Sequence, residues 1–161
     1  MIRLKRILVS TDFSDAAAKA LPYASSLARE YGAELHVVHV VEDSLYYAQF
    51  VYSGAPCDPE MVIGGLVEDR KKQLEALRAS LPPELRVTTH LRRGVVADEI
   101  IATAAAVDVD LVVIATHGRT GFSHLFFGSV AERVVRLCPC PVLTVREKTH
   151  GILQMPAKPG G

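Results

Sequence analysis

The stretch Ala115-Thr-His-Gly118-Arg119-Thr-Gly121-Phe-Ser-His-Leu-Phe-Phe-Gly128-Ser129-Val130-Ala-Glu132 has the residue types of an anion cradle. Glycine lets a backbone approach a ligand closely and turn its N–H groups toward it. Gly128-Ser129 is placed to open a helix, whose free N–H groups and positive dipole end attract phosphate. Ser129 and Glu132 have the S-x-x-E spacing of a capping box, which predicts Ser129 as the cap. Arg119 offers a guanidinium for a charge-assisted contact, and His117 stands beside Gly118. Each residue has a plain alternative. Ser129 serves as a cap in many helices without a ligand, Gly118 and Gly121 suit ordinary turns, and Arg119 suits a solvated surface. What points to a nucleotide phosphate is that they converge.

A second polar group, Thr11-Asp12, ends the first apolar run of the chain. Asp12 suits a strand end or a helix cap. It also suits a ribose hydroxyl, or a magnesium ion carried by the phosphates. No nucleophile–base pair and no paired carboxylates stand out, so no general base for hydrolysis is visible. G-x-x-x-x-G-K-[ST] is absent, and so is G-x-G-x-x-G after the first strand. Hydride transfer and P-loop phosphoryl transfer are poor candidates.

These groups need elements to position them. Ile7-Leu8-Val9 reads as a buried strand. Ser14 is placed to cap a helix with the apolar stripe Ala17, Ala20, Leu21, Ala24, Leu27, Ala28 and Tyr31, and Gly32 is placed to end it. Leu35 to Val41 is nearly unbroken in apolar character, as parallel strands covered on both faces are. Residues 42–58 predict a long loop or partly helical excursion, with Tyr46, Tyr47, Phe50 and Tyr52 clustered in it. A charged helix is expected from Glu60 to Ser80 and is broken by Pro82-Pro83. A strand from Leu85 to Leu91 follows, then a helix from Ala97 to Val107. Asp110 to Ala115 is the strongest strand; a helix from Val130 to Leu137 and a strand from Val142 to Val145 complete the order. This β-α alternation implies a doubly wound parallel sheet with helices on both faces and right-handed crossovers. Ligands of such sheets sit beyond the carboxyl ends of the strands, where the order reverses. Thr11-Asp12 and Thr116-His117-Gly118 meet there if strands 1 and 4 are neighbours.

The bulk numbers fit one domain. The chain has 161 residues, 49% of them apolar and 6% aromatic with no Trp, so Val, Leu, Ile and Ala must build the core. Eighteen Lys and Arg balance eighteen Asp and Glu, which argues against a nucleic-acid binder or an anionic-membrane binder. No apolar run reaches the roughly 18 residues of a membrane helix, and the N-terminus shows no secretion signal. Three cysteines fit a reducing, cytoplasmic setting better than a disulfide framework.

The pattern resembles the universal stress protein family. The likeness lies in Thr11-Asp12-Phe13-Ser14, Val38-His39-Val40 and residues 110–146, and covers most of residues 1–147. The ATP-binding branch of that family has Gly, two residues, Gly, nine residues, then Gly-Ser or Gly-Thr. Here Gly118 is the second glycine and Gly128-Ser129 closes the motif. The resemblance implies a single five-stranded sheet of order 3-2-1-4-5, adenine-nucleotide alpha-hydrolase-like, over residues 1–147, with a flexible tail over 148–161. It implies an ATP site with Thr11, Asp12 and Val40 on the adenosine side, and Gly118, Arg119, Gly128, Ser129 and Val130 around the phosphates. It implies a homodimer through Pro141 to Arg146, and a regulatory role in which nucleotide occupancy controls a partner. Ala115 departs from the pattern by standing at the first glycine. Its methyl group is expected to weaken binding. Two other functions stay open: an interaction module of the same fold without nucleotide, and a slow ATPase or self-phosphorylating protein.

The remaining chemistry-bearing residues have plainer readings. Cys138-Pro-Cys140 is not C-x-x-C and has no histidine cluster nearby, so apolar packing is expected. His36 and His39 suit structural hydrogen bonds more than ligation, and His124 suits the surface. The Tyr46–Tyr52 aromatics suit an adenine cover or packing equally.

Overall fold

Small side chains decide how this sheet is covered. Ala20, Ala24 and Ala28 are fully buried along one side of a helix, so its backbone lies close against the strands beneath. The computed structural model describes residues 1–42, 59–116 and 128–146. The strands are β1 (Arg6–Ser10), β2 (Glu34–Val41), β3 (Val87–Arg93), β4 (Leu111–Ala115) and β5 (Val142–Val145). The helices are α1 (Asp15–Tyr31), α2 (Pro59–Ser80), α3 (Val96–Val107) and α4 (Ser129–Leu137). All five strands run parallel in the order β3-β2-β1-β4-β5. This is the doubly wound arrangement expected, with β1 and β4 adjacent. The excursion over 43–58 and the tail over 148–161 lie outside the described residues.

Strand alternation divides the core in two. Ile7, Val9, Leu35, Val37, Val113 and Ala115 pack toward α1 and α2. Leu8, Val38, Val40, Val112 and Ile114 pack toward α3 and α4, against Ile100, Ala104, Ala131 and Val134. Both faces of the central strands are therefore dry, which is why their sequences read as continuous apolar runs. Burying one such Leu or Ile stabilises by about 1.5–3 kcal/mol.

The helix ends follow local rules. Ser14 caps α1, its Oγ accepting from Ala17 N at 3.2 Å, and Gly32 stops the helix at φ 63°, a left-handed conformation that glycine adopts freely. Pro22 sits inside α1 on its exposed side, where the carbonyl it leaves unpaired faces water. Tyr31, expected in the apolar stripe, is exposed at the last residue of α1. At the start of β4, the Asp110 carboxylate accepts from Lys5 N at 2.6 Å and Arg6 N at 2.9 Å. These two amides hold its carboxyl below the usual carboxylate range.

One strand is displaced from its expected place. Leu85 N instead closes a turn on Pro82 O, and pairing with β2 begins at Val87. β3 then runs through Arg92 and Arg93 because β2 continues beside it to Val41. The partner strand sets the end of β3, and polar residues tolerate the position because β3 is a sheet edge.

Candidate functional site

A cavity of about 330 Å³ opens beyond the carboxyl ends of β1, β2 and β4, at the point where the strand order reverses. Thr11, Asp12, Val40, Ala115, Gly128, Ser129 and Val130 all border it. Seven of the nine expected site residues are thus brought together from β1, β2, β4 and α4. The other two, Gly118 and Arg119, lie outside the described residues, as do His117, Gly121, His124 and the Tyr46–Tyr52 aromatics.

On the β1 side the polar groups are tied to one another. Thr11 N donates to Val38 O at 2.9 Å, which prolongs the β1–β2 pairing past Ser10. Thr11 Oγ1 accepts from Phe13 N at 3.0 Å. Asp12 Oδ1 accepts from Ser14 N at 3.0 Å and from Ser14 Oγ at 2.5 Å. Asp12 therefore supports the capping serine and is not itself the cap. The turn forces Phe13 to φ 61°, an uncommon conformation for a residue with a Cβ. Its ring is held by His39 at 4.6 Å between centroids and lies 5.9 Å from the Arg70 guanidinium carbon. His39, buried in β2, donates from Nδ1 to Thr11 O at 2.8 Å, and the carbonyl acceptor fixes that tautomer.

On the β4 side the strand end is joined directly to a helix start. Thr116 is fully buried; its N–H donates to Val145 O at 2.9 Å and its carbonyl accepts from Gly128 N at 2.8 Å. A Cβ at Gly128 would stand 3.2 Å from that carbonyl, a tight contact that the carbonyl would have to relieve by a few tenths of an ångström. Gly128, not Ser129, is the N-cap of α4, and the helix has no side-chain cap. The expected capping box is thus corrected. Gly128 takes the extended conformation of a cap because its bond to Thr116 fixes it, and this moves Ser129 into the first helical position. Gly128, Ser129 and Val130, at the start of α4, line the cavity.

Ala115 ends β4 and borders the cavity. Its side chain alternates with Ile114 and belongs to the packed cluster on the α1 side, with Val113 and Val145. At 9% exposure the methyl group is mostly core, and the close approach falls on Gly128 instead.

The cavity wall is largely apolar, from Val38, Val40, Ile100 and Ile114, with Val96 at the start of α3. Leu66 and Arg70 reach it from α2. Sequence reasoning missed both, because nothing in a charged helix marks which turn will face a strand end. His36, at the other end of β2, has a structural partner as expected: its Nδ1 lies 2.9 Å from His90 Nε2. Burial holds both rings below the usual histidine range, and each ring's neighbouring arginine adds to this. No group of three or more metal-ligating side chains occurs among the described residues. No helix among them is long and apolar enough to cross a membrane.

The model of the universal stress protein family matches residues 3–146. A universal stress protein of Methanocaldococcus jannaschii is 33% identical over 144 residues, covering 89% of this chain and 82% of its own. Among solved structures, a second M. jannaschii protein superposes with a TM-score of 0.79 at 25% identity, over 92% of this chain and all of its own. An Archaeoglobus fulgidus universal stress protein in complex with dAMP has a TM-score of 0.60 at 24% identity, over 89% of this chain and 98% of its own. That last likeness is one of fold.

Proposed function

The chain belongs to the universal stress protein family, and from that premise we propose that its strand-end cavity binds an adenine nucleotide, ATP in the first place, and that occupancy regulates a protein contact. The observation that carries this reading is the meeting of Thr11, Asp12 and Val40 with the glycine-capped start of α4 around one cavity of about 330 Å³. The apolar wall of Val38, Val40 and Ile114 suits the base. Asp12 and the Thr11 backbone suit the ribose. Gly128, Ser129 and Val130, with Gly118 and Arg119, suit the phosphates, because helix N-termini favour anions. Magnesium, if carried, comes with the phosphates. A protein of this fold holds dAMP, which supports an adenine nucleotide as the ligand class.

The proposal is binding and not turnover. It includes one domain over residues 1–147, a cytoplasmic setting and a homodimer through Pro141–Arg146. The dimer reading is supported by the place of β5 at the sheet edge, where among the described residues no strand pairs with its outer side. Calorimetric titration with Mg-ATP, ADP, AMP and cyclic AMP tests the ligand. Saturable binding of at least one is expected, and absence of saturable heat at about 1 mM of each overturns the reading. Sedimentation with and without nucleotide tests the dimer.

A further inference from the structure

Cys138 follows the last residue of α4, and Cys140 stands two residues before β5. Their Sγ atoms are 3.6 Å apart, and both side chains are half-buried, so each keeps an open side. Apolar packing accounts for part of this, since both touch the cluster on the α3–α4 face. It does not account for two thiols directed at each other across a single proline. The segment is braced at both ends. Cys138 N donates to Val134 O at 2.9 Å, and Pro141 O accepts from Val112 N at 3.0 Å. Pro139 and Pro141 each fix φ, so little freedom remains to separate the sulfurs.

We propose that Cys138 and Cys140 are a redox-modifiable dithiol, closed to a disulfide by hydroperoxides and reopened by thiol reductants. This goes beyond the nucleotide reading and does not depend on it, because the pair sits at the opposite end of α4 from Gly128. Closure requires the sulfurs to approach from 3.6 Å to about 2.05 Å. Residues two apart have Cα atoms within about 7 Å, inside the reach of a disulfide. A loop this short is strained, and strained disulfides are the labile, regulatory ones.

The order of events follows from the proton. Burial and the adjacent Cys138 push the Cys140 thiol up to about 12, so Cys140 keeps its hydrogen. The Cys138 sulfur attacks one oxygen of the hydroperoxide as its proton passes to water. The S–O bond forms, the O–O bond breaks, and the alkoxide or hydroxide released takes a proton from water. Cys140 then attacks the Cys138 sulfenic acid. The S–S bond forms, the S–O bond breaks, and the departing hydroxide leaves as water with the Cys140 proton. Two thiols and one peroxide give one disulfide and two molecules of water or alcohol, so electrons and atoms balance.

The full chain, reduced and desalted, is exposed to hydrogen peroxide, alkylated under denaturing conditions and weighed intact. Before alkylation a loss of about 2 Da is expected. After alkylation only one of the three thiols, Cys57, should carry the label, and dithiothreitol should restore all three. Peptide mapping should place the bond between Cys138 and Cys140. Cys57→Ser should keep the mass loss; Cys138→Ser and Cys140→Ser should each abolish it. The proposal is overturned if all three thiols stay alkylatable, if only oxygen is added without the 2 Da loss, or if the mapped bond uses Cys57 or a second chain. Wild-type mass and mapping decide the matter even if a serine variant fails to fold.

Discussion

The helices α1 and α4 both begin at the carboxyl end of a central strand, yet their first turns are finished in opposite ways. At α1, Thr11, Asp12 and Ser14 satisfy the turn: Ser14 Oγ accepts from Ala17 N, and Asp12 Oδ1 accepts from Ser14 twice over. At α4 the N-cap is Gly128, which makes no side-chain cap hydrogen bond and closes through its backbone on the Thr116 carbonyl, beside the cavity. The first arrangement is a self-contained turn whose value is stability. The second exchanges local satisfaction for a place where an anion fits. A phosphate is therefore expected at α4 and not at α1, although both starts border the same crevice.

The largest effect should come from Gly128→Val. Its Cβ would stand 3.2 Å from Thr116 O, with two further methyl groups to place. Crowding of this kind costs about 1–3 kcal/mol, and it falls where the phosphates are proposed. Nucleotide affinity should drop at least roughly tenfold by calorimetry; unchanged affinity would place the ligand elsewhere. Ser14→Ala should act on the other helix. Losing the cap costs about 1 kcal/mol, seen as a fall in thermal midpoint of about 2–4 °C, with nucleotide affinity little changed. A large loss of affinity here would break the contrast between the two helices. Ser129→Ala should show the reverse: a thermal midpoint nearly unmoved, since Ser129 caps nothing, and affinity lowered about threefold to tenfold, the worth of one hydrogen bond. A clear loss of stability would mean that α4 is finished by its own serine after all.

The smallest effect concerns the His36–His90 pair on β2 and β3, joined through His36 Nδ1 and His90 Nε2. Burial holds both rings below the ordinary histidine value of about 6.5. The unfolded chain therefore takes up protons at pH values where the folded one does not. Stability is complete above about 6.5 and declines as pH falls from there toward the lowered folded values. Denaturation midpoints at pH 7 and pH 5 should show the fall, and His90→Gln should reduce it. An equal slope in that variant would assign the pH dependence to other groups.

Much of this contrast was legible in the chain itself. Ser14 and Gly32 mark the ends of α1 by local rules that need no tertiary partner. The β-α alternation and the unbroken apolar runs at residues 7–9, 35–41 and 111–115 imply a sheet covered on both faces. Thr11, Asp12, Gly128 and Ser129 were identified by type and spacing. Three positions were decided by contacts that the chain alone does not show. Ser129 carries a capping-box spacing, but the Gly128–Thr116 hydrogen bond moved the cap back by one residue. Ala115 stands where glycine was expected, but strand alternation turned its methyl group into the core. β3 was expected to stop at Leu91, but its pairing with β2 carried it to Arg93.

The sequence by itself determined the fold class, the family and most of the residues around the cavity, because periodicity, caps and motif spacing are local signals. Only the tertiary structure decided which helix start is open, that Arg70 and Leu66 join the site from α2, and that two cysteines flanking a proline bring their sulfurs to 3.6 Å. Each of these depends on a contact between segments far apart in the chain or on the pinning of a loop at both ends. Such contacts are set by packing, and packing has no signature in a residue and its neighbours.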